Sequence, residues 1–200
     1  NTAVSELLYE DFSSPELDSR LQWFCAPQHW RILADASALE IRTDAATDFW
    51  QRTHYGFQAD NGHFLYATVP GDCTVETHVR FAGKHQYDQA GLMVRFGPDC
   101  WLKTSVEYEP EEPNRLGAVV TRNGYSDWST QDVHGELDAI GLRVVREGYT
   151  WMVYAAIGDR WSQLRVAHLE GEGPAQVGLY TCSPKGAGFA PRFDFLRISA

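Results

Sequence analysis

Positive charge is scarce in this 200-residue chain. It carries 17 lysine and arginine residues against 27 aspartate and glutamate residues, so its formal net charge at pH 7 is −10. A general nucleic-acid binder, or a protein held on an anionic membrane surface, needs an excess of cationic side chains. The charge balance argues against both classes, and we expect neither a nucleic-acid partner nor a membrane partner.

Long apolar runs are absent as well. The densest short run, residues 151–157, is far shorter than the stretch of about 20 residues that spans a bilayer. Hydrophobic residues make up 44% of the chain and charged residues 22%, which is ordinary for a folded protein and excludes wholesale disorder. We interpret residues 1–200 as one domain with one sizeable core. No signal peptide is visible, so we expect a cytoplasmic protein.

Cysteine shows no metal or redox spacing. The four residues are Cys25, Cys73, Cys100 and Cys182, and no two of them form a C-x-x-C pair. Cys73 and Cys100 fall on inward positions of predicted strands and should behave as small buried hydrophobic residues. Two disulfides are open to the chain if it is exported. No cofactor is predicted.

Helical periodicity and the common catalytic motifs are also missing. No segment keeps apolar residues at i, i+3, i+4 and i+7 over three turns. At most, residues 15–17 start a short helical turn after Ser13 or Ser14. There is no G-x-S-x-G elbow and no G-x-G-x-x-G loop, which argues against a nucleophilic triad and a phosphate loop.

A period of two dominates the chain instead. Between residues 73 and 81, a set that includes Val75 and Val79 alternates with Glu76, His78 and Arg80. Residues 90–96 and 101–108 alternate in the same way. Further strands are predicted at 7–12, 30–34, 38–42, 64–69, 117–122, 140–146, 150–157, 161–168, 176–182 and 192–199.

Short turns separate these strands. Residues 60–62 fit a tight turn, residues 70–72 should join two antiparallel strands, and three further turns with glycine punctuate the second half of the chain. Roughly a dozen strands with few helices to cover parallel crossovers predict an all-β fold, with two antiparallel sheets packed face to face.

Aromatic residues are abundant, with seven Trp, nine Tyr and ten Phe. One interpretation is a bulky core between two sheets. The other is an aromatic-lined surface that binds a ligand or a second copy of the chain. Both stay open from the sequence alone.

Several segments resemble the family catalogued as domain of unknown function 1349, which includes a regulation-of-enolase protein. The matching segments are residues 48–57, 60–66, 86–95, 101–107, 127–129 and 177–184. The family is similar to concanavalin A-like lectins and glucanases and to the jelly-roll module appended to some xylosidases. The resemblance therefore implies a jelly-roll sandwich with a binding groove on the concave face of one sheet, and it implies no particular reaction.

Alternation predicts which side chains reach that concave face, because neighbouring residues of a strand point to opposite sides. We expect four strands within residues 64–107 to share it and to gather Tyr66, Gln89, Lys103 and Glu107 in one hollow. Aromatic rings beside polar groups suit a polyhydroxylated ligand. The alternative is a solvated face with weak cross-strand ion pairs. The predicted ligand-binding residues are Trp50, His54, Tyr55, His63, Tyr66, Glu76, His78, Gln89, Trp101, Lys103, Glu107 and Trp128.

Two alternatives to simple binding depend on particular residues. His54 and His63 could offer imidazoles to a ligand or metal, although histidines nine apart are more often hydrogen-bonded loop residues, and no metal site is predicted. Glu107, Glu109 and Glu111 alternate as the carboxylates of a glycosidase strand would. Pro110 should end strand pairing, so Glu109–Glu112 fits a solvated acidic turn better, and no catalytic residue is predicted.

The sequence therefore predicts a jelly roll that binds a carbohydrate or small polar metabolite. A glycoside hydrolase-like enzyme, a protein-interaction module that regulates a metabolic enzyme, and a homodimer are the alternatives.

Overall fold

The computed structural model describes residues 4–135 and 137–200, which form 17 strands and one short 3-10 helix. The strands are β1 (Glu6–Glu10), β2 (Gln22–Phe24), β3 (His29–Leu33), β4 (Ala38–Arg42), β5 (Phe49–Gln51), β6 (Gln58–Asp60), β7 (His63–Val69), β8 (Cys73–Arg80), β9 (Gln89–Gly97), β10 (Cys100–Glu107), β11 (Asn114–Arg122), β12 (Tyr125–Val133), β13 (Ala139–Glu147), β14 (Thr150–Ile157), β15 (Arg160–His168), β16 (Ala175–Cys182) and β17 (Arg192–Ser199). The 3-10 helix covers Ala34–Ala36.

Two large antiparallel sheets contain fifteen of these strands. The first sheet has the order β15-β14-β13-β8-β17-β4-β3, with β1 paired to β17. The second has the order β12-β11-β10-β9-β16-β7-β2. Strands β5 and β6 pair only with each other, as a separate hairpin. The all-β fold with two packed antiparallel sheets is confirmed.

The main core lies between the two sheets and follows from the alternation of each strand. In β8, for example, Val75 and Val79 are almost fully buried, whereas Glu76 and His78 are partly exposed. Strand β10 contributes Leu102 to the same core from the opposite sheet. Burying one such side chain stabilises the fold by roughly 1.5–3 kcal/mol, so the apolar half of the alternation decides which face turns inward.

A second, smaller cluster lies outside the sandwich, between the β5–β6 hairpin and the outer face of the second sheet. Its buried members are Phe49, Trp50, Phe64, Met93, Trp101, Val119, Tyr180 and Cys182. Gly62 lets the chain pass closely here, because a Cβ atom at this position would lie 2.3 Å from Phe49. The hairpin therefore covers part of the face that the sequence predicted to be open.

The prediction that β8 lies in the same layer as β7, β9 and β10 is wrong. Residues 70–72 do not join paired strands; they carry the chain from β7 in the second sheet to β8 in the first, where β8 pairs with β13 and β17. Alternation shows which residues share a face of a strand, but long-range pairing decides to which sheet the strand belongs.

Smaller elements also differ from the prediction. Residues 15–17 form a bend without a helix, and strands β2, β5, β6 and β12 were not predicted. Strand β12 shows no alternation of apolar and polar residues, because it is an edge strand with mostly exposed, polar residues. In the described part of the chain, no helix is long and apolar enough to cross a membrane.

The cysteines are free thiols, and all four lie within the described residues. Cys73 is buried in the main core, as expected. Cys100 is only partly buried; it packs against that core while its thiol donates weakly to the Glu170 carbonyl. Burial raises the pKa of the Cys73 thiol to about 11, which is consistent with a packing role.

Candidate functional site

A cavity of about 190 Å³ opens on the outer face of the second sheet, next to the β5–β6 hairpin. Strands β9, β10 and β11 form its floor, and the hairpin with its connecting loop forms one wall. It is lined by Asp48, Trp50, Tyr55, Phe57, Tyr87, Gln89, Lys103, Glu107, Val119, Trp128, Pro184 and Lys185.

The floor holds a buried ion pair. Lys103 is almost completely buried, and its Nζ donates to the Phe49 carbonyl at 2.8 Å and to Asp48 Oδ1 at 3.3 Å. Asp48 Oδ1 also accepts from the Phe49 backbone N–H at 2.8 Å. The ammonium charge is thus compensated locally, and the pair ties the hairpin to the sheet.

Glu107 lies beside this pair, and a hydrogen bond from the protein reaches only one of its two carboxyl oxygens. Gln89 Nε2 donates to Glu107 Oε1 at 2.9 Å, and Gln89 Oε1 accepts from the Tyr180 hydroxyl at 2.9 Å. These two bonds fix the orientation of the Gln89 amide. Glu107 Oε2 is buried and has no hydrogen-bond partner among the described residues. A buried polar atom without a partner is costly, so this oxygen is a candidate contact for a ligand.

Burial raises the pKa of Glu107 from 4.5 to about 7. The Lys103 charge opposes this rise, and the negative charges of Asp48 and Glu109 add to it. The carboxyl group of Glu107 therefore changes its charge close to neutral pH, whereas an exposed glutamate would be ionised throughout that range.

Aromatic rings form the rest of the cavity. The Trp50 and Trp128 rings are 6.4 Å apart at 80°, and the Trp50 and Tyr55 rings are 5.5 Å apart at 70°. Trp50 Nε1 donates to the Thr53 carbonyl at 3.0 Å, which fixes its indole ring. The rings therefore present both faces and edges to the cavity.

A wider cleft of about 470 Å³ continues outward from this cavity and shares Tyr55, Tyr87 and Trp128 with it. Its other lining residues are Gln86, Glu109, Pro110, Glu111, Glu112 and Arg115. Three carboxylates against one guanidinium give the cleft a negative charge.

The structure brings six of the twelve predicted ligand-binding residues together around the cavity. They are Trp50, Tyr55, Gln89, Lys103, Glu107 and Trp128. Strand alternation accounts for Gln89, Lys103 and Glu107, which point to the same side of β9 and β10. The other three come from the segments that carry the family resemblance.

Four other predicted residues do not line the cavity: Trp101, Tyr66, His54 and His63. Trp101 is fully buried under the hairpin, where its Nε1 donates to the Pro98 carbonyl. Tyr66 packs at the margin of the smaller cluster, so it does not share the hollow with Gln89, Lys103 and Glu107 as predicted. His54 is exposed in the hairpin loop, where its ring contacts Tyr55.

His63 has a structural role. Its Nε2 accepts from the Asp44 backbone N–H at 3.0 Å, so its Nδ1 carries the proton and donates to the Cys25 carbonyl at 2.6 Å. Both ring nitrogens are used, which leaves neither for a ligand or metal. Among residues 4–135 and 137–200, no group of three or more His, Cys, Asp or Glu side chains is placed to hold a metal ion.

Glu76 and His78 lie on the opposite surface of the protein. Because β8 belongs to the first sheet, Glu76 pairs with Arg143 and His78 pairs with Asp194, away from the cavity. Their prediction as part of the same concave face is wrong for this reason.

The alternating carboxylates Glu107, Glu109 and Glu111 do not converge on one site, which agrees with the prediction that they form no catalytic ladder. Glu107 faces the cavity, whereas Glu109 turns to the outer cleft and accepts from Gln86 Nε2 at 3.1 Å. Glu111 and Glu112 are exposed, as expected for a solvated turn, but Glu109 is buried and is not part of such a turn.

Sequence reasoning missed half of the cavity lining. The missed residues are Asp48, Phe57, Tyr87, Val119, Pro184 and Lys185. Four of them, Asp48, Phe57, Tyr87 and Pro184, lie inside the segments that carry the resemblance, so that signal could have found them. Val119 points outward on β11 next to Trp128 on β12, a pairing that only the structure reveals.

The chain is similar to proteins of one described family. The family described as "Protein of unknown function (DUF1349)" matches residues 23–200. Regulation of enolase protein 1 from Saccharomyces cerevisiae is 32% identical over 179 residues, which cover 89% of this chain and 88% of the yeast protein.

Solved structures share the fold. A functionally unknown protein from Saccharomyces cerevisiae matches with a TM-score of 0.84 at 32% identity, over 91% of this chain and 97% of that chain. A mutant of the GH43 protein BlXynB from Bacillus licheniformis matches with a TM-score of 0.76 at 18% identity, over 96% of this chain and 39% of that chain. This second likeness concerns the fold alone, and it confirms the predicted jelly-roll sandwich.

Proposed function

Since this chain belongs to the DUF1349 family, whose function is unknown, we propose a function from the site itself: the cavity binds a carbohydrate or another small polar metabolite. The observation that carries this proposal is the Glu107 carboxyl group, which lines a space walled by aromatic rings and has one oxygen, Oε2, buried without a partner. A hydroxyl group of a ligand can donate to this carboxyl group while an aromatic ring packs on the C–H face of a sugar.

The size of the cavity favours a ligand of about one sugar ring. Its volume of about 190 Å³ is below the roughly 300–1,000 Å³ of pockets that take drug-sized molecules. Further units of an oligosaccharide would extend into the outer cleft, past Tyr55, Tyr87 and Trp128.

Isothermal titration against a panel of monosaccharides and oligosaccharides tests the proposal directly. We expect dissociation constants in the micromolar to millimolar range, as is common for small polar ligands in a single shallow site. If no sugar binds at concentrations up to about 10 mM, any binding free energy is weaker than roughly −4 kcal/mol. This result would contradict carbohydrate binding.

Replacing Tyr55 by alanine is expected to weaken sugar binding at least tenfold, because the substitution removes one wall of the cavity. The melting temperature should change little, since the Tyr55 side chain is 51% exposed. Tyr149→Ala is the matched control: Tyr149 is 49% exposed but lies in the β13–β14 turn, away from the cavity. Equal effects of the two substitutions on binding would show that Tyr55 does not contact the ligand.

Hydrolysis is a weaker candidate than binding. The second carboxylate on the cavity is Asp48, and its Oδ1 is already engaged by Lys103 and the Phe49 backbone N–H. A two-carboxylate mechanism needs one group to donate a proton and the other to act as nucleophile or base. Glu109 turns to the outer cleft and Glu111 is exposed, so the alternating carboxylates of residues 107–111 give that mechanism no support.

A protein-interaction module is the second candidate function. It is supported by the name of the yeast relative and by the outer face of the first sheet, where arginine stacks on exposed rings. Arg197 lies 4.7 Å from the Tyr9 ring centre and Arg143 lies 4.0 Å from that of Trp161. Arginine and aromatic residues dominate the energetics of many interfaces. Titration with purified enolase tests this candidate, and loss of any signal in Trp161→Ala would locate the partner on this face.

A further inference from the structure

The base of the cavity carries one carboxyl group, that of Glu107, with which no cation among the described residues forms an ion pair. The Lys103 ammonium is engaged by Asp48 and the Phe49 carbonyl, so it is not available to Glu107 as an ion-pair partner. Glu107 Oε1 receives a neutral amide N–H from Gln89, and Oε2 receives nothing. When Glu107 is ionised, a carboxylate without a direct counter-ion therefore lines the cavity.

The surroundings extend this negative potential. The adjoining cleft adds Glu109, Glu111 and Glu112 against Arg115. Two cations line the cavity: Lys103, which is buried and paired with Asp48, and Lys185, whose exposed side chain lies 5.9 Å from the Tyr87 ring centre. An exposed charge is screened by solvent far more than a buried one. Since the buried Lys103 ammonium is paired with Asp48, the ionised Glu107 is the buried charge that a cation entering the cavity can pair with.

The aromatic walls suit the same kind of ligand. The rings of Trp50, Tyr55 and Trp128 all line the cavity, and Trp50 lies at 80° to Trp128 and at 70° to Tyr55. The faces of aromatic rings carry negative partial charge and attract cations, most strongly those of tryptophan. Several rings around an ammonium group, closed at one end by a carboxylate, form a well-known recognition unit for organic cations.

We propose that the ligand of this cavity carries a protonated or alkylated amine that pairs with the Glu107 carboxylate beside the rings of Trp50, Tyr55 and Trp128. This inference rests on the proposed function of the cavity as a ligand site and names the chemical class, which includes amino sugars and other small organic cations. A neutral sugar of the same size lacks the charge that this arrangement selects.

Binding of such a cation depends on the ionised form of Glu107. The charged and titratable groups that face this carboxyl group come from β10, β11, β16 and the loops at the cavity mouth: they are Lys103, Asp48, Glu109, Arg115, Tyr180, Tyr87 and Lys185. With a pKa of about 7, the ionised fraction of Glu107 rises about tenfold between pH 6 and pH 8. The affinity for a permanent cation should rise by the same factor.

The experiment compares choline with 3,3-dimethylbutan-1-ol, its neutral analogue of the same shape, by isothermal titration of the full chain. The quaternary ammonium of choline does not titrate, so any pH dependence belongs to the protein. We expect choline to bind at least tenfold more tightly than the alcohol at pH 8, and its affinity to fall about tenfold at pH 6.

Glu107→Gln removes the charge while it keeps the shape of the side chain. In this variant choline should lose at least tenfold in affinity and its pH dependence, while the alcohol is unaffected. Asp159→Asn is the matched control, because it removes one negative charge from an exposed turn between β14 and β15. A similar loss in both variants would mean that overall charge, not the Glu107 contact, attracts the cation, and this would overturn the proposal.

Glucose and glucosamine separate the failure of this inference from the failure of the proposed function. If choline binds no better than the alcohol and glucose binds as well as glucosamine at pH 7, the cavity is a neutral-sugar site and the cation proposal is wrong. If none of the four molecules binds, both proposals are rejected.

Discussion

Glu107→Gln is expected to stabilise the protein by about 3 kcal/mol at pH 8. The carboxyl group of Glu107 is buried with its Oε2 unpartnered, and burial raises its pKa from 4.5 to about 7. Each unit of this rise is worth about 1.4 kcal/mol of free energy of unfolding once the group is ionised. A glutamine of the same shape keeps the bond from Gln89 and carries no charge that must be buried.

The sign of the effect follows from proton linkage. Between about pH 4.5 and pH 7 the folded state holds the Glu107 proton more tightly than the unfolded state does. The stability that this carboxyl group contributes is therefore fully present below about pH 4.5 and is lost as the pH rises through about 7. The difference between wild type and variant should be close to zero at pH 4 and largest at pH 8.

Thermal unfolding at these two pH values provides the measurement. For a chain of this size, about 3 kcal/mol corresponds to a rise in melting temperature of about 6–12 °C at pH 8. Glu112→Gln, at an exposed position, serves as the control and should shift the melting temperature by no more than a degree or two. A variant that is less stable than wild type at pH 8 would mean that Glu107 is ionised at little cost and has partners of its own.

A residue that costs stability is informative about function. Natural proteins keep destabilising groups mainly where activity requires them, and replacing such groups commonly gains stability while binding or activity is lost. Gain of stability together with loss of ligand binding in the one variant would therefore identify Glu107 as a binding residue. A structural residue would lose both together.

The second large effect is expected from Gly178→Ala in β16. A Cβ atom at this position would lie 1.9 Å from the Leu65 carbonyl oxygen and 2.9 Å from the Tyr66 Cα, both in the backbone of β7. Neither atom can move without separating two paired strands in the interior of the second sheet. We expect a loss of at least about 3 kcal/mol, at the upper end of the cost of inserting one methyl group.

Gly71→Ala is the matched control for this substitution. A Cβ atom at Gly71 would have no neighbour within 4 Å, and its backbone does not require positive φ. This variant should therefore unfold at the wild-type urea concentration, or slightly above it, because alanine restricts the unfolded chain. If Gly178→Ala unfolded at the same urea concentration as Gly71→Ala, the close approach of β16 and β7 would leave room for a methyl group, and the prediction would be wrong.

Alternation predicted the strands well where both faces of a strand differ in polarity. In β8, the buried Val75 and Val79 and the partly exposed Glu76 and His78 follow the predicted pattern. The sheet to which β8 belongs was not predictable in this way, because the pairing partners β13 and β17 lie more than 50 residues away in sequence. A single chain carries no direct signal for such distant pairs.

The candidate site was predicted only in part, because alternation locates residues on long neighbouring strands and not on short ones. Gln89, Lys103 and Glu107 share a face because β9 and β10 are adjacent and long, so the period of two applies to them. The covering hairpin consists of three-residue strands, too short to show a period, and its contacts with the sheet are long-range. For that reason Trp101 was expected at the surface although Phe49 packs on it.

The β5–β6 hairpin is attached to the sandwich by the apolar packing of Phe49 and Trp50 and by a few polar contacts. Lys103 bonds to the Phe49 carbonyl, Ser126 Oγ accepts from the Gln51 N–H at 2.8 Å, and Arg52 donates to the Gly124 carbonyl at 2.7 Å. An isolated two-stranded ribbon is marginally stable at best. The hairpin therefore keeps its shape only while the outer face of the second sheet holds it, so a substitution that loosens that face would remove a wall of the cavity without touching the main core.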